Sequence, residues 1–353
     1  MNQPATLNQP ADAFSVARLL KVLVPILAVA LAVRYLLPSF EQAAQQEFEQ
    51  NMLAKLLGPT EVASEQVAFK DVDGDLLCDF PADDQCVTPE TLVFSYVGPP
   101  EESDEATSWA DVLTALSDAT GLPVEYQHYP STSDQVAALA DAKLHIVGLN
   151  TGAIPLAVET AGFHPVCTFG REDGSFGYTM KLLTRAEDGV DDPAKLAGKR
   201  IAFTTPDSNS GCKAALVYLM NQQDLLPERD YQWGFTFGHE TSVKELLAGE
   251  HDAAPVASDI LERMTNDGEV DADALQVIYE SERFPPATIG YAYNLSPELR
   301  EEISKTLLGF VWPGTSVEAK YGASGATQFV PVNYKDDWAN IRRINATVES
   351  KKK

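Results

Sequence analysis

Lys199-Arg-Ile-Ala-Phe203 runs straight into Thr204-Thr-Pro-Asp-Ser-Asn-Ser-Gly-Cys-Lys213, and that junction decides the fold. The first segment has the composition of a short buried strand, and residues 212–222 after the loop read as a helix. Between them Asp207, Ser208, Asn209 and Ser210 offer short polar side chains, and Gly211 permits close backbone approach. The opening N–H groups of a helix lack intrahelical acceptors, and its dipole is positive at that end. Strand, polar loop and helix start together make a cradle for an oxyanion that needs no cationic side chain. A plain helix cap is the other reading, because Ser and Asn are preferred there. No Gly-Lys-Ser/Thr follows the glycine, so this is not the phosphate loop of nucleotide triphosphatases.

Outward from this junction the chain alternates strand and helix. Strands are predicted over 91–97, 122–128, 144–149, 165–169 and 178–184, with helices over 108–120, 133–141 and 154–161. A second set has strands at 199–203, 231–237, 253–256 and 275–279 and helices at 212–222, 241–248 and 258–265. A strand at 288–293 and a helix at 296–308 then return to the first set. The rhythm predicts an α/β protein of two lobes, residues 91–178 with 284–342 and residues 179–283. Ligands of such sheets sit outside the carboxyl ends of the strands, and two crossings between lobes invite hinge closure.

Two further strand ends carry polar groups. In Phe237-Gly-His239-Glu-Thr-Ser242 the histidine can donate to an oxyanion while Thr241 or Ser242 caps a helix, although a purely structural histidine fits equally. Leu149-Asn-Thr151-Gly152-Ala-Ile-Pro155 presents Thr151 and backbone N–H groups from the opposite lobe.

Three segments, Ser208-Asn-Ser210-Gly211, Gly238-His239 and Gly249-Glu-His-Asp252-Ala-Ala254, resemble in this order the phosphonate/phosphite/phosphate-binding proteins of ABC importers, over about residues 91–310. The resemblance implies a type II periplasmic-binding-protein fold, two α/β lobes with a hinge, and a solute-binding protein rather than an enzyme. It implies that Ser208, Ser210 and Gly211, with the helix start around Asn209, hold phosphorus-bound oxygens. His239 adds a donor, Thr151 contributes from the other lobe, and Tyr96 lies at the end of the first strand. Asp259 falls where such proteins place a carboxylate beside a ligand amine. The second acid is expected after Ser281, where this chain has Glu282-Arg-Phe-Pro-Pro286, and Ile154-Pro155 stands where a pocket aromatic is usual. Phosphonate, phosphite and phosphate therefore all remain open, with an ABC permease as the implied partner.

Ahead of the lobes, residues 14–37 (FSVARLLKVLVPILAVALAVRYLL) form an apolar stretch. Its uninterrupted core from Val22 to Val33 is 12 residues, short of the roughly 20 of a full span unless Lys21 and Arg34 snorkel. It is read as an uncleaved N-terminal membrane helix anchoring the protein at the outer face of the inner membrane. A signal peptide cut near Ala28-Val-Ala30 or Ala30-Leu-Ala32, leaving a soluble periplasmic protein, and a buried core helix are the alternatives. Early basic residues keep the N-terminus cytoplasmic in the first two readings. Residues 1–13 are expected as a disordered tail, 38–90 as a helical stalk ending at Gly58-Pro59 plus an Asp-rich linker, and 343–353 as a polar tail.

The linker contains Asp71-Val-Asp73-Gly-Asp75-Leu-Leu-Cys-Asp79, which resembles the calcium loops of EF-hand-like and thrombospondin type 3 repeats. Alternating aspartates can aim several oxygens at one hard cation, but no Glu stands at the twelfth position, and a solvated acidic turn reads equally well. A structural calcium is therefore an expectation, and no other cofactor is implied. Cys78 and Cys86, eight apart, either close a small disulfide or stay free, and no Cys/His spacing suits zinc.

The 353 residues carry a formal net charge of −26, which argues against a nucleic-acid partner. It does not argue against a buried anion pocket, since net charge governs solubility and encounter. No nucleophile elbow or triad spacing is present. A two-lobed transferase would need cosubstrates that an exported chain lacks. A sensory or scaffold module reusing the fold is the remaining rival, and no second signalling domain is visible.

Overall fold

The computed structural model describes residues 16–58, 69–98 and 105–352. The chain divides into two compact units, one up to Asn51 and one from Met52 onward. The helix Val16–Leu57 makes up the described part of the first, up to Asn51, and carries exposed apolar side chains there at Leu20, Leu23, Val24, Ile26, Leu27 and Leu31. Among the described residues no helix is long and apolar enough to cross a membrane. Residues 1–15, including the expected tail and the start of the apolar stretch, lie outside the described residues, as do several side chains within the stretch.

The second unit contains strands β1 (Leu92–Tyr96), β2 (Val124–Tyr126), β3 (Ile146–Leu149), β4 (Phe163–Gly170), β5 (Met180–Arg185), β6 (Arg200–Phe203), β7 (Gln232–Phe235), β8 (Ala253–Ala257), β9 (Leu275–Glu280), β10 (Thr288–Ala292) and β11 (Gln328–Pro331). They form two sheets, in the orders β11-β4-β10-β3-β1-β2 and β7-β6-β8-β5-β9. Each sheet pairs a parallel βαβ core with antiparallel partners. β1 is parallel to β2 and β3, and β6 to β7 and β8, while β10 and β5 run against their neighbours. Helices cover both faces, so β3, β8 and β10 are buried at every residue, the pattern of a sheet shielded from water on both sides. The chain leaves the first sheet after β4, builds the second from β5 to β9, and returns at β10. The two crossings are laced together by Tyr178 and Phe284, whose backbones exchange hydrogen bonds of 2.9 and 2.7 Å.

Several sequence expectations are corrected. The end of the presumed stalk is core: Met52, Leu53 and Leu56 are buried. Residues 69–90 are not a free linker, because apolar side chains between the aspartates find the first lobe. Phe69 meets Tyr293 edge-on at 5.0 Å, Phe80 stacks on His164 under the Arg300 guanidinium, and Val87 bridges to Leu295. Residues 59–68 of that segment lie outside the described residues. The expected polar tail 343–353 belongs to the helix Ala339–Lys352, held by a buried stripe at Ile341, Ile344 and Val348. All four cysteines are free. Cys78 turns inward to His164 Nε2 at 3.5 Å while Cys86 faces the Pro81 carbonyl, so the two thiols point to different partners.

Candidate functional site

The loop after β6 is wound more widely than an α-helix. Ser208 caps it, its hydroxyl accepting the Gly211 N–H at 3.1 Å, and Asn209–Lys213 form a π turn in which the Lys213 N–H reaches the Ser208 carbonyl at 3.0 Å. Such widened turns recur at functional sites because they expose backbone groups. Among the described residues the N–H groups of Asn209 and Ser210 find no acceptor. Asn209, Ser210 and Gly211 are buried, and neither amide atom of Asn209 has a hydrogen-bond partner, a costly arrangement unless something polar meets it. Gly211 is required by packing: a Cβ there would stand 2.0 Å from Thr204 Oγ1.

The first lobe closes against this loop. Asn150 Nδ2 donates to Asp207 Oδ2 at 2.5 Å, and Lys213 Nζ donates to the Gly152 carbonyl at 3.1 Å. Thr151 is buried, its hydroxyl donating to the Pro285 carbonyl at 2.7 Å and accepting from Tyr178 at 3.3 Å. Trp338 Nε1 fixes the Thr151 carbonyl at 3.2 Å. The Tyr178 hydroxyl also lies against Ser210 and Asn209, and burial pushes its pKa up, so it stays a neutral donor. Sequence reasoning missed Tyr178: it belongs to a crossing rather than to any loop motif.

His239 opens the helix His239–Leu247, two residues earlier than expected. Ser242 does not cap it, because its hydroxyl turns back to the Gly238 carbonyl and to Thr236. His239 Nδ1 accepts the Ala257 N–H at 3.2 Å, which puts the ring proton on Nε2. Burial lowers its pKa to about 4, so Nε2–H is a neutral donor at physiological pH. Asp259, in the first turn of the helix Ser258–Asn266, has its pKa raised by burial to about 6. It is close enough to Tyr96 and Tyr178 to push both phenols further up. Tyr96 ends β1 with its ring on Trp109 at 4.6 Å, and Gly148 beside it has no room for a Cβ.

Other segments take structural places. Asp252 accepts the Arg200 N–H at 2.8 Å at the opposite end of β6, so Gly249–Ala254 braces the lobe rather than lining the cleft. Ile154 and Pro155 are buried at the start of their helix. Glu282 is exposed, and Arg283 beside it enters the wall of a cleft cavity of about 60 Å3 that also includes Arg171, Ser258, Asp259 and Glu262. In the acidic loop, carboxylates of Asp71, Asp73 and Asp75 cluster within 4.8 Å of one another, while Asp79 is not among them. These carboxylates also accept loop N–H groups, Gly74 to Asp71 at 2.8 Å and Leu77 to Asp75 at 2.8 Å, and Lys335 Nζ donates to the Gly74 carbonyl at 2.8 Å. The turn is therefore held together by the chain itself.

Chemically the loop after β6 offers hydroxyl and amide groups, and His239 adds a neutral imidazole at the end of β7. His239 spends Nδ1 on a backbone N–H, so it has no orienting carboxylate and cannot serve as the base of a nucleophile pair. The buried Cys212 thiol is shifted strongly upward. The arrangement suits capture of an oxyanion rather than bond making.

Comparison with known proteins agrees. The family model described as "ABC transporter, phosphonate, periplasmic substrate-binding protein" matches residues 96–338. The phosphate-import protein PhnD of Mycolicibacterium smegmatis is 22% identical over 231 residues, covering 61% of this chain and 70% of that one. Among solved structures, a binding component of an ABC phosphonate transporter from Pseudomonas aeruginosa superposes with a TM-score of 0.64 at 18% identity, covering 74% of this chain and 87% of its own. PhnD1 of Prochlorococcus marinus, in complex with methylphosphonate, gives 0.63 at 14% identity, covering 74% and 99%. The two-sheet architecture is thus that of type II periplasmic binding proteins, and with a match across most of its length the chain belongs to the periplasmic substrate-binding proteins of phosphonate ABC transporters.

Proposed function

We propose that this chain captures a small phosphorus oxyanion, phosphonate, phosphite or phosphate, between its lobes and delivers it to the permease of an ABC importer. The observation that carries the reading is the buried π turn: two free N–H groups, the Ser210 hydroxyl and an unpartnered Asn209 amide converge beside Tyr178 and Thr151. His239 Nε2–H adds a donor. All of these are neutral, so binding forms charge-assisted hydrogen bonds without a buried counter-charge that must be broken at release. The proposed ligand is one the relatives' names also carry, phosphate in one case and methylphosphonate in the other.

The exposed apolar side chains between Leu20 and Leu31 support a membrane-associated N-terminal segment, and membership of a periplasmic family supports an extracytoplasmic location for the binding unit. Isothermal titration of the chain with phosphate, phosphite, methylphosphonate and 2-aminoethylphosphonate tests the ligand class. Micromolar or tighter binding of one of them is expected, weakened several-fold or more by Ser210→Ala and by His239→Ala, given about 1.5–3 kcal/mol for a hydrogen bond to a charged group. Silence from all four, or full affinity in both variants, would remove the assignment. Membrane fractionation, with the chain staying in the pellet until residues 1–37 are deleted, tests the anchor.

A further inference from the structure

The cleft cavity has charged walls that the cradle does not use. Arg171 stands where the chain leaves the first sheet, and Arg283 where it returns, so each crossing contributes one guanidinium to the same cavity of about 60 Å3. Facing them, the helix Ser258–Asn266 contributes Ser258, Asp259 and Glu262. Among the described residues neither arginine has an ion-pair partner, even though acidic residues outnumber basic ones 52 to 26 in this chain. The one side-chain hydrogen bond of Arg283 is from Nη2 to the Gly177 carbonyl at 3.0 Å, which leaves the rest of its fork open.

The cavity also adjoins the oxyanion cradle. Gly177 in its wall precedes Tyr178, whose hydroxyl touches Thr151, and Ser258 follows Ala257, whose N–H holds the His239 ring. Tyr178 lies against Ser210 and Asn209 and is close enough to Asp259 of the cavity wall to feel its charge, so one side chain links the loop to the charged cavity.

We propose that this cavity is a second subsite in which Arg171 and Arg283 grip a carboxylate carried on the ligand's substituent. The inference rests on the phosphorus-oxyanion reading above and names the substrate class: a phosphonate whose substituent carries a carboxylate. A planar guanidinium fork matches a carboxylate bidentately, which a lysine does not, and two forks from different crossings would also report on the hinge.

The test is titration of the full chain with two ligands that differ by one carboxylate, 2-aminoethylphosphonate and 2-amino-3-phosphonopropionate. The carboxylate-bearing ligand is expected to bind at least about tenfold tighter to the unaltered protein. The ratio of the two dissociation constants should fall toward one in Arg171→Ala/Arg283→Ala, with an intermediate value in the double lysine variant. Using the ratio within each variant removes any general loss of folding or closure. Equal affinities in the unaltered protein, a preference for the ligand without the carboxylate, or a preference that survives in the double alanine variant would each overturn the subsite. Binding of methylphosphonate with neither aminophosphonate would sink the subsite alone. Failure of methylphosphonate, phosphite and phosphate together would sink the oxyanion reading beneath it.

Discussion

Gly152 is the point where the first lobe meets the backbone of the cradle, so Gly152→Ala asks whether that contact is part of holding a ligand. A Cβ at Gly152 would stand 2.1 Å from the Asp207 carbonyl oxygen and 2.8 Å from the Asn209 nitrogen, where ordinary contact begins near 3.4 Å. The loops would have to part by 1.3 Å, the difference between 3.4 and 2.1 Å. Gly152 is not among the positive-φ glycines, so alanine adds no backbone strain of its own. Parting the loops stretches the 2.5 Å bond from Asn150 to Asp207 and the 3.1 Å bond from Lys213 to the Gly152 carbonyl. Each involves a charged group, worth about 1.5–3 kcal/mol, and overpacking at such a contact costs about 1–3 kcal/mol. Loss of one bond's worth from the closed form weakens binding roughly ten- to hundredfold. Titration gives the affinity, stopped-flow displacement gives the rates, and a melt of the ligand-free variant controls for folding. The loss should fall mainly on the dissociation rate, because the contact acts after encounter. A dissociation constant and off-rate both within twofold of the parent would refute the reasoning.

Three further outcomes are expected. Asp259, with a pKa raised to about 6, favours its protonated form in the folded state, a contribution fully present below its unfolded value and lost as pH rises through about 6. Asp259→Asn should therefore stabilise the chain at pH 8, by on the order of 3 kcal/mol, with the gain shrinking below pH 6; denaturant titrations at both pH values check this. Leu53→Ala should destabilise the second unit by about 2–5 kcal/mol in a urea titration, whereas a residue on a free stalk would cost almost nothing. Thiol alkylation of the native protein followed by mass spectrometry should label Cys86 first, the other three reacting only on unfolding, and reduction should leave the mass unchanged.

The strand-loop-helix junction at 199–213 was legible because its apolar run, polar loop and glycine each have a local cause. The βα rhythm was legible for the same reason: strands buried on both faces are written as short apolar runs between turns. The unforeseen parts depend on partners distant in sequence. Tyr178 becomes a site residue only when a crossing carries it to Thr151, and Arg171 and Arg283 meet only once the chain has gone through the second sheet and back. The short edge strand β11 and the helix Ser316–Tyr321 are too brief to show a period. The stripe Ile341, Ile344 and Val348 was hidden by the charged residues around it. A separation of eight positions between Cys78 and Cys86 permits a bridge, but spacing does not say which way a thiol faces, and His164 decides that for Cys78.

Leu53 and Val348 line one shallow pocket together with Val217 and Met220, from the helix whose first turn follows the cradle. Residues 53 and 348 are thus brought to one spot, and the polypeptide between them is nearly a closed ring. A short linker between those points, with new termini opened at the exposed turn around Gly189, should give a circular permutant that still folds and binds. Fluorophores placed at its new ends would then sit on the second lobe, far in sequence from the helix that Leu53 and Val348 grip. Such a permutant would turn the protein into a sensor framework without any change to the cleft.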